Sequence, residues 1–439
     1  MVHSSPLEIK GRLHDLHDGW RQIELWGTSF EIGYAHGHLL HDVLSKIKES
    51  IPFEVQQNFS KISYKKYSAD CKRYILPKVR TEYPDIYREL EGIVQGAKSM
   101  GTSITMEDLI EWNALVGMNE FYNKQSCDQG RCSAFIATGN ATKKGDIIMA
   151  HNTHSDFVSG QYLNIIMLIT PVKGYQFRMQ TAAGLVSSST DWFLSSTGII
   201  GCETTIADVN YKADFISGTP YFCRIRKAMQ YGKTLDEYVS IMLDKNSGDY
   251  PCSWLLGNIR TGEIMRFELG KMTHSVLRTM NGVFYGMNMA FDQELLDNEI
   301  KRVKYDFTDS IGSRNHRFAY LLYDVYYGKL DIDVAKDIIS DHYDSNLQTV
   351  VRNSMGICRH DEYDSDSPKH KRGHGHRLYG SVDGKVVNSE MSKKLEFYGR
   401  FGSACGRSFS IDKHISEHPN YEKFRDYVSN IKSEPWNKL

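Results

Sequence analysis

The 439-residue chain has little proline, only 10 residues, and no apolar run near the ~18 residues that a membrane-spanning helix requires. Nor has it an excess of charge: 53 Lys+Arg stand against 54 Asp+Glu, a net −1. That balance gives no overall attraction to nucleic acid or to an anionic bilayer, so neither is expected as a partner. There is no internal repeat and no flexible linker. Absent too are a G-x-S-x-G elbow, a Walker loop and a G-x-G-x-x-G following a strand, which counts against α/β-hydrolase, nucleotide and dinucleotide sites. The eight cysteines (71, 127, 132, 202, 223, 252, 358 and 405) contain no C-x-x-C pair and no zinc-finger spacing. Their even number would allow disulfides, which a chain this long does not need in order to fold. No cofactor and no metal are expected. No secretory leader is legible, so a cytoplasmic protein and an exported one that has shed its leader both fit.

What is present is an ordinary globular composition, 41% hydrophobic and 24% charged, with 26 Tyr and 19 Phe. Length alone suggests about three domains at ~150 residues each. Aromatic wealth suits a large core and an apolar ligand site alike. Ile32, Leu39, Leu40, Val43 and Ile47 recur at helical spacing and predict a helix over about 29–60. Further helices are expected at 81–99 and 105–118. After Gln129 the pattern turns to short β-branched or aromatic segments at 132–138, 146–151, 161–170, 175–181, 192–196 and 198–206. Two strand pairs follow, 253–259 with 263–268 and 273–279 with 283–287, the second joined by Met280-Asn-Gly282. Helices are expected at 235–243, 314–327, 333–341, 389–400 and 419–431, and 360–377 reads as an exposed polar loop. Strands grouped between helical blocks predict an α+β fold with helices packed outside the sheets.

Several strings invite a metal. His414-Ile-Ser-Glu-His418 fits an inverted zinc-protease motif, but little chain remains for a third ligand and Pro419 would end the helix. His360, His370, His374 and His376 could gather an ion, yet a solvated loop explains them. His36, His38 and His41 lack a carboxylate to complete a triad.

The chemistry-bearing stretch is Gly130-Arg-Cys132-Ser-Ala-Phe-Ile-Ala-Thr138, a Gly/Asn/Lys turn, then Asp146-Ile-Ile-Met-Ala-His151-Asn152-Thr-His154-Ser-Asp156. Antiparallel strands of this length would bring Cys132 near His151, Asn152 and Asp156, the neighbours a thiol needs to be held and oriented. Cysteine is also a common small core residue, so spacing leaves both uses open.

This hairpin resembles the nucleophile hairpin of N-terminal-nucleophile (Ntn) hydrolases, in the group of isopenicillin-N acyltransferase-like and phospholipase B-like proteins. Four more segments are similar, in family order: Gly27-Thr-Ser-Phe-Glu31-Ile-Gly33-Tyr-Ala-His-Gly37; Ser187 to Ile206, ending Glu203-Thr204-Thr205-Ile206; Asn246-Ser-Gly248-Asp-Tyr250-Pro-Cys252-Ser-Trp254; and Tyr379-Gly380-Ser-Val-Asp383-Gly-Lys385-Val386. The resemblance implies a four-layer αββα sandwich that runs on as one domain. It further implies self-cleavage at Arg131–Cys132 into a mostly helical segment 1–131 and a catalytic segment 132–439. The freed α-amino group of Cys132 would then serve as the base for its own thiol. The thiolate would attack an acyl amide and form a thioester, resolved by water or by an amine. His151 and Asn152 would orient the nucleophile, with Asp156 as a supporting charge. Thr204 or Thr205 would lie beside the acyl carbonyl, and Arg314 or Arg317 would stabilise negative charge.

Each of these has a structural counterpart: a satisfied hairpin histidine, ordinary strand threonines, arginines that pair with surface carboxylates. The chain also departs from the family. Where the family carries asparagines, one of them an oxyanion donor, this sequence has Pro251 and Cys252. Proline lacks an N–H and a thiol donates weakly; losing one oxyanion donor costs ~10²–10³ in rate. Asn246, Asn258 and Asn288 are the candidate substitutes. The expected partner is a small or lipid-like acyl substrate, with deacylation of lipid esters, acyl transfer and a non-catalytic binding protein as the competing readings. A homo-oligomer is left open.

Overall fold

The computed structural model describes residues 8–15, 18–59, 61–122, 132–302, 304–364 and 378–439. Arg131, Cys127, His370, His374 and His376 lie outside them.

Two sheets make the centre. Among the described residues the larger has nine strands, in the order Gly11–Asp15, Arg21–Gly27, Ile165–Pro171, Phe177–Thr181, Phe193–Ser195, Ile199–Thr205, Cys252–Asn258, Glu263–Leu269 and His274–Thr279. Only Arg21–Gly27 with Ile165–Pro171 is parallel; the other neighbours are antiparallel. The smaller sheet runs Gly282–Gly286, Ser133–Gly139, Gly145–Asn152, Asp383–Asn388, Tyr398–Phe401 and Asn437–Lys438.

Side-chain alternation divides the smaller sheet between two cores. Ala134, Ile136, Ile147 and Met149 pack toward the larger sheet with Ile200 and Leu256. Phe135, Ala137, Ile148 and Ala150 pack the other way, against Phe318, Leu322, Ile338 and Ile339 of helices Ser310–Ala319 and Ile332–Ile339 and the turn between them. Gly257 of the larger sheet marks how near the sheets come: a Cβ there would lie 3.0 Å from Ile136 Cδ1. Helices Ser29–Leu39 and Pro84–Ser99 cover the larger sheet's outer side near its first strands, and Tyr221–Tyr231 and Leu235–Leu243 near its middle. The α+β sandwich with helices outside is therefore what the strand-and-helix grouping predicts.

The glycine-rich segment near the start serves packing. Thr28 caps helix Ser29–Leu39 in a capping box with Glu31, and Glu31 also pairs with Lys10 at 2.7 Å. Gly33 and Gly37 then face Gly92 and Gly96 of helix Pro84–Ser99. A Cβ on Gly33 would sit 1.9 Å from the Glu89 carbonyl oxygen, and one on Gly96 2.0 Å from that of Tyr34. Only glycine lets the two backbones approach so closely.

Five expectations need correction. The helix expected over 29–60 is two, Ser29–Leu39 and His41–Asn58, because Leu40 leaves helical backbone at φ −116°, ψ 22°. The pair at Met280-Asn-Gly282 is no hairpin: His274–Thr279 joins the larger sheet while Gly282–Gly286 pairs with Ser133–Gly139 in the smaller one. Gly282 at φ 144° allows the chain to change sheets. The helix at 389–400 is a single turn, Ser389–Ser392, after which Leu395 turns at φ 56° into strand Tyr398–Phe401. The last helix shrinks to a 3₁₀ turn, Pro419–Phe424, since the Ile431 backbone is bridged to Phe409. The polar segment 360–377 expected as an exposed loop begins buried, with His360 1% exposed. Strands Gly11–Asp15 and Arg21–Gly27 and helix Tyr221–Tyr231 went unread in the sequence.

Candidate active site

The hairpin that carries Cys132 is central in the smaller sheet. Gly139 and Gly145, both at positive φ, turn the chain, and the register sets Ser133 opposite Asn152 and Ala134 opposite His151. Cys132 precedes the first paired residue and is itself buried.

It lines the wall of a cleft of about 790 Å³, mouth included. Trp112, Leu115, Val116, Leu163 and Leu185 give the cleft an apolar side; Asn119, His154, Asp156, Glu203, Thr205 and Tyr250 give it a polar one. Residues from both sides of Cys132 in the sequence thus build one concavity, the arrangement of a small-molecule site.

The expected site residues divide by strand alternation. His151 points between the sheets, where its Nε2 lies 3.1 Å from the Glu203 carbonyl oxygen. Burial first, and then the charge of Lys385, hold this imidazole neutral, well below its ordinary value. Asn152 points to the opposite side, and its amide donates to the carbonyls of Ile339 (2.7 Å) and Ile357 (3.1 Å). Asp156 borders the cleft, but its carboxylate caps helix Phe157–Gly160 by accepting from the Ser159 N–H and hydroxyl, both at 2.8 Å. Thr205 borders the cleft. Thr204 faces the other sheet, its Oγ1 buried without a hydrogen-bond partner and close against Gly286.

The two arginines part company. Arg314 is fully buried and its fork grips the start of the hairpin, donating to the Cys132 carbonyl (2.9 Å), Ser133 Oγ (3.1 Å) and Asn288 Oδ1 (3.0 Å). Arg317 instead makes a two-point pair with Asp341 (3.0 and 2.7 Å) and lies over the Tyr343 ring. Of the substitutes for the missing asparagine, Asn246 holds the Gly270 carbonyl and Asn288 that of Thr205, while Asn258 receives the Arg260 N–H in a turn. None of the three lines the cleft. Cys252 is wholly buried, opposite Thr205 in the larger sheet.

Several residues in or near the cleft have no role assigned from the sequence. Lys385, fully buried, donates to Asp383 Oδ1 and Thr153 Oγ1, both at 2.8 Å. The Tyr250 hydroxyl lies within hydrogen-bond reach of the carboxyl groups of both Asp191 and Glu203 (2.7 Å to Oε1), with one proton to share between them. His154 stacks near Tyr379 and sits 3.2 Å from Asp361 Oδ1 without hydrogen-bond alignment. Burial, with the nearby Arg359 charge, takes His154 down to about 4. Asn119 is 6% exposed, borders the cleft, and its Oδ1 is buried without a partner. Only charged residues inside apolar strands, such as Glu203 in Ile199–Thr205 and Lys385 in Asp383–Asn388, offered a signal.

The thiol is not a ready thiolate. Burial first, then the charge of Glu203, push Cys132 up to about 12, against the downward pull of the His154 main-chain N–H and of Lys385. Among the described residues no side-chain base is hydrogen-bonded to its sulfur.

No protein-family model matches the chain. A curated relative, an uncharacterized protein of Archaeoglobus fulgidus, is 24% identical over 279 residues, covering 59% of this chain and 44% of its own length. The chain therefore spans less than half of that relative. Among solved structures, a cysteine-to-alanine mutant of conjugated bile acid hydrolase from Clostridium perfringens superposes with a TM-score of 0.35. The identity is 13%, over 62% of this chain and 89% of that one. An arginine-to-leucine variant of the same hydrolase gives 0.27 at 11% identity, over 63% and 83%. Likenesses this slight carry no weight for the chemistry, which rests on the site itself.

Proposed function

We propose that the chain is an Ntn-type cysteine hydrolase that cleaves an acyl amide through a thioester on Cys132. The observation that carries this reading is the position of Cys132: at the head of a central strand, on the wall of a cleft with one apolar and one polar side. The apolar side suits an acyl chain. The polar side suits the carbonyl end.

The raised thiol needs a base of its own, and among the described residues no side-chain base is hydrogen-bonded to it. An α-amino group freed by cleavage before Cys132, with an ordinary pKa near ~8, supplies it. The amine takes the Sγ–H proton and the sulfur attacks the acyl carbon. The tetrahedral oxyanion collapses, the C–N bond breaks, and the ammonium returns its proton to the leaving amine. Water, deprotonated by the same amine, then attacks the thioester and releases the acid and the thiol. Asn119 borders the cleft, and its Nδ2–H is the amide donor offered to the oxyanion. Arg314 positions the nucleophile by holding its carbonyl.

A second reading, a non-catalytic binding protein on the same fold, draws on the high thiol pKa and on Cys252 in place of an oxyanion asparagine. Intact mass, followed by acyl trapping from a panel of amides and lipid esters, decides between them. A fragment beginning at Cys132 that gains the acyl mass supports the hydrolase, and the panel separates amide from ester. An uncleaved chain whose Cys132→Ala variant behaves identically in every acyl-hydrolysis assay overturns it.

A further inference from the structure

We propose that His342, Cys358, His360 and Cys405 form a structural zinc site that pins the segment behind the nucleophile hairpin. One ligand atom from each residue lies within 4.8 Å of the others, and two of the four residues are buried. Two thiolates and two neutral imidazoles are a donor set that zinc takes in closed, four-coordinate structural sites. Zinc bound at ~2.0–2.3 Å in a tetrahedron separates its ligand atoms by ~3.3–3.8 Å. His360 Nε2 already stands 3.5 Å from Cys358 Sγ and 3.3 Å from Cys405 Sγ.

The surroundings fit the same occupant. His360 Nδ1 donates to Glu362 Oε1 at 2.7 Å, which fixes the tautomer and turns the Nε2 lone pair toward the sulfurs. A carboxylate behind a ligating histidine is the usual support of a metal site. Nε2 of His342 is buried and has no hydrogen-bond partner, a cost that a protein rarely carries without a ligand. The His342 and His360 rings are 5.1 Å apart. The spacing hides the site from sequence, because the four residues come from three loops and only Cys358 and His360 are close in the chain.

The consequence for the cleft follows from what the ligand loop holds. The Ile357 carbonyl, one residue before Cys358, accepts from Ser133 Oγ (3.0 Å) and from Asn152 Nδ2 (3.1 Å), on the two strands of the nucleophile hairpin. The Arg359 carbonyl accepts from the Ser381 N–H, and Asp361 faces His154 at the cleft. Zinc would tie this loop to the loops of His342 and Cys405 and so brace the hairpin from behind. Binding to the thiol forms releases up to two protons, one from each cysteine, and involves no redox change.

The test is zinc content of the full-length protein, purified without chelator, by elemental mass spectrometry. About one zinc per chain is expected, falling at least severalfold in Cys358→Ser and Cys405→Ser. Should those variants fail to fold, the wild-type protein still answers. Cobalt(II) exchanged into it should give the absorption of tetrahedral thiolate coordination, and zinc-edge X-ray absorption should show mixed sulfur and nitrogen ligands. Wild-type protein that stays metal-free when supplied with zinc overturns the proposal, as does a Cys358–Cys405 disulfide or zinc retained equally by the folded variants. None of these readouts needs the hydrolase activity, so failure of either proposal can be told from failure of the other.

Discussion

Replacing Lys385 by methionine isolates the buried ion pair beside the nucleophile. Lys385 and Asp383 are both 0% exposed, with Nζ 2.8 Å from Oδ1. Methionine fills most of the stem's volume but leaves the carboxylate without its cation. Breaking a buried pair from one side costs ~3–5 kcal/mol. Asp383 keeps the Thr153 N–H at 2.9 Å and Gln180 Nε2 at 2.8 Å, which places the expected loss at the low end, ~3 kcal/mol. Thr153 Oγ1 also loses its donor. Equilibrium urea unfolding at pH 7, followed by circular dichroism and tryptophan fluorescence, measures the loss. The double variant Asp383→Asn/Lys385→Met removes the orphaned charge and keeps an acceptor for Thr153, so it should recover at least ~2 kcal/mol of what the single variant loses. The same lysine helps draw the Cys132 thiol down, so Lys385→Met should also slow alkylation at Cys132. A single-variant loss under ~1 kcal/mol, or strict additivity in the double, would refute the view that this pair is a coupled, charge-bearing unit.

Three further outcomes are expected. His154 stays neutral in the fold down to about 4, whereas in the unfolded chain it takes a proton near ~6.5. Its contribution is therefore intact above that value and is lost as pH falls from 6.5 toward 4, by up to ~3 kcal/mol. His154→Gln should flatten the fall in unfolding free energy over that window; an unchanged slope would place the titration elsewhere. Gly33→Ala drives a methyl to within 1.9 Å of the Glu89 carbonyl oxygen and should cost at least ~1–3 kcal/mol by overpacking, whereas Gly101→Ala, whose added Cβ meets nothing, reports only the strain of its positive φ. Denaturant midpoints of the two variants compare them directly. Arg314→Lys keeps the charge but not the fork that holds the Cys132 carbonyl, Ser133 and Asn288; acyl-thioester formation should slow ~10²-fold through misplacement of the nucleophile. Single-turnover mass spectrometry reads it, and a rate equal to wild type would remove Arg314 from positioning.

Much of the fold was legible because it is local. Short apolar runs bounded by Gly, Asn and Lys turn residues mark Ser133–Gly139 and Gly145–Asn152, and Glu263–Leu269 follows its partner after a short Arg-Thr-Gly turn. The errors fall where long-range pairing overrides local pattern. The segment at 389–400 reads as a helix, yet strand Asp383–Asn388 claims Tyr398–Phe401 as its neighbour. Asn281-Gly282 reads as a hairpin turn, yet its two strands find better partners in different sheets.

The site shows the same boundary. The sequence by itself determined that a cysteine heads a hairpin and that polar residues crowd the returning strand, because strand period and turn residues are properties of adjacent positions. It could not determine which way each side chain faces across the sandwich. A single register step decides that His151 reaches the Glu203 carbonyl while Asn152 faces the helices. Nor could it show that Asn119, Glu203, Tyr250 and Cys132 wall one cleft, or that two cysteines and two histidines from three loops meet within 4.8 Å. Burial, desolvation and ligand geometry depend on distances between segments far apart in the chain, and the packing of sheets and helices decided those.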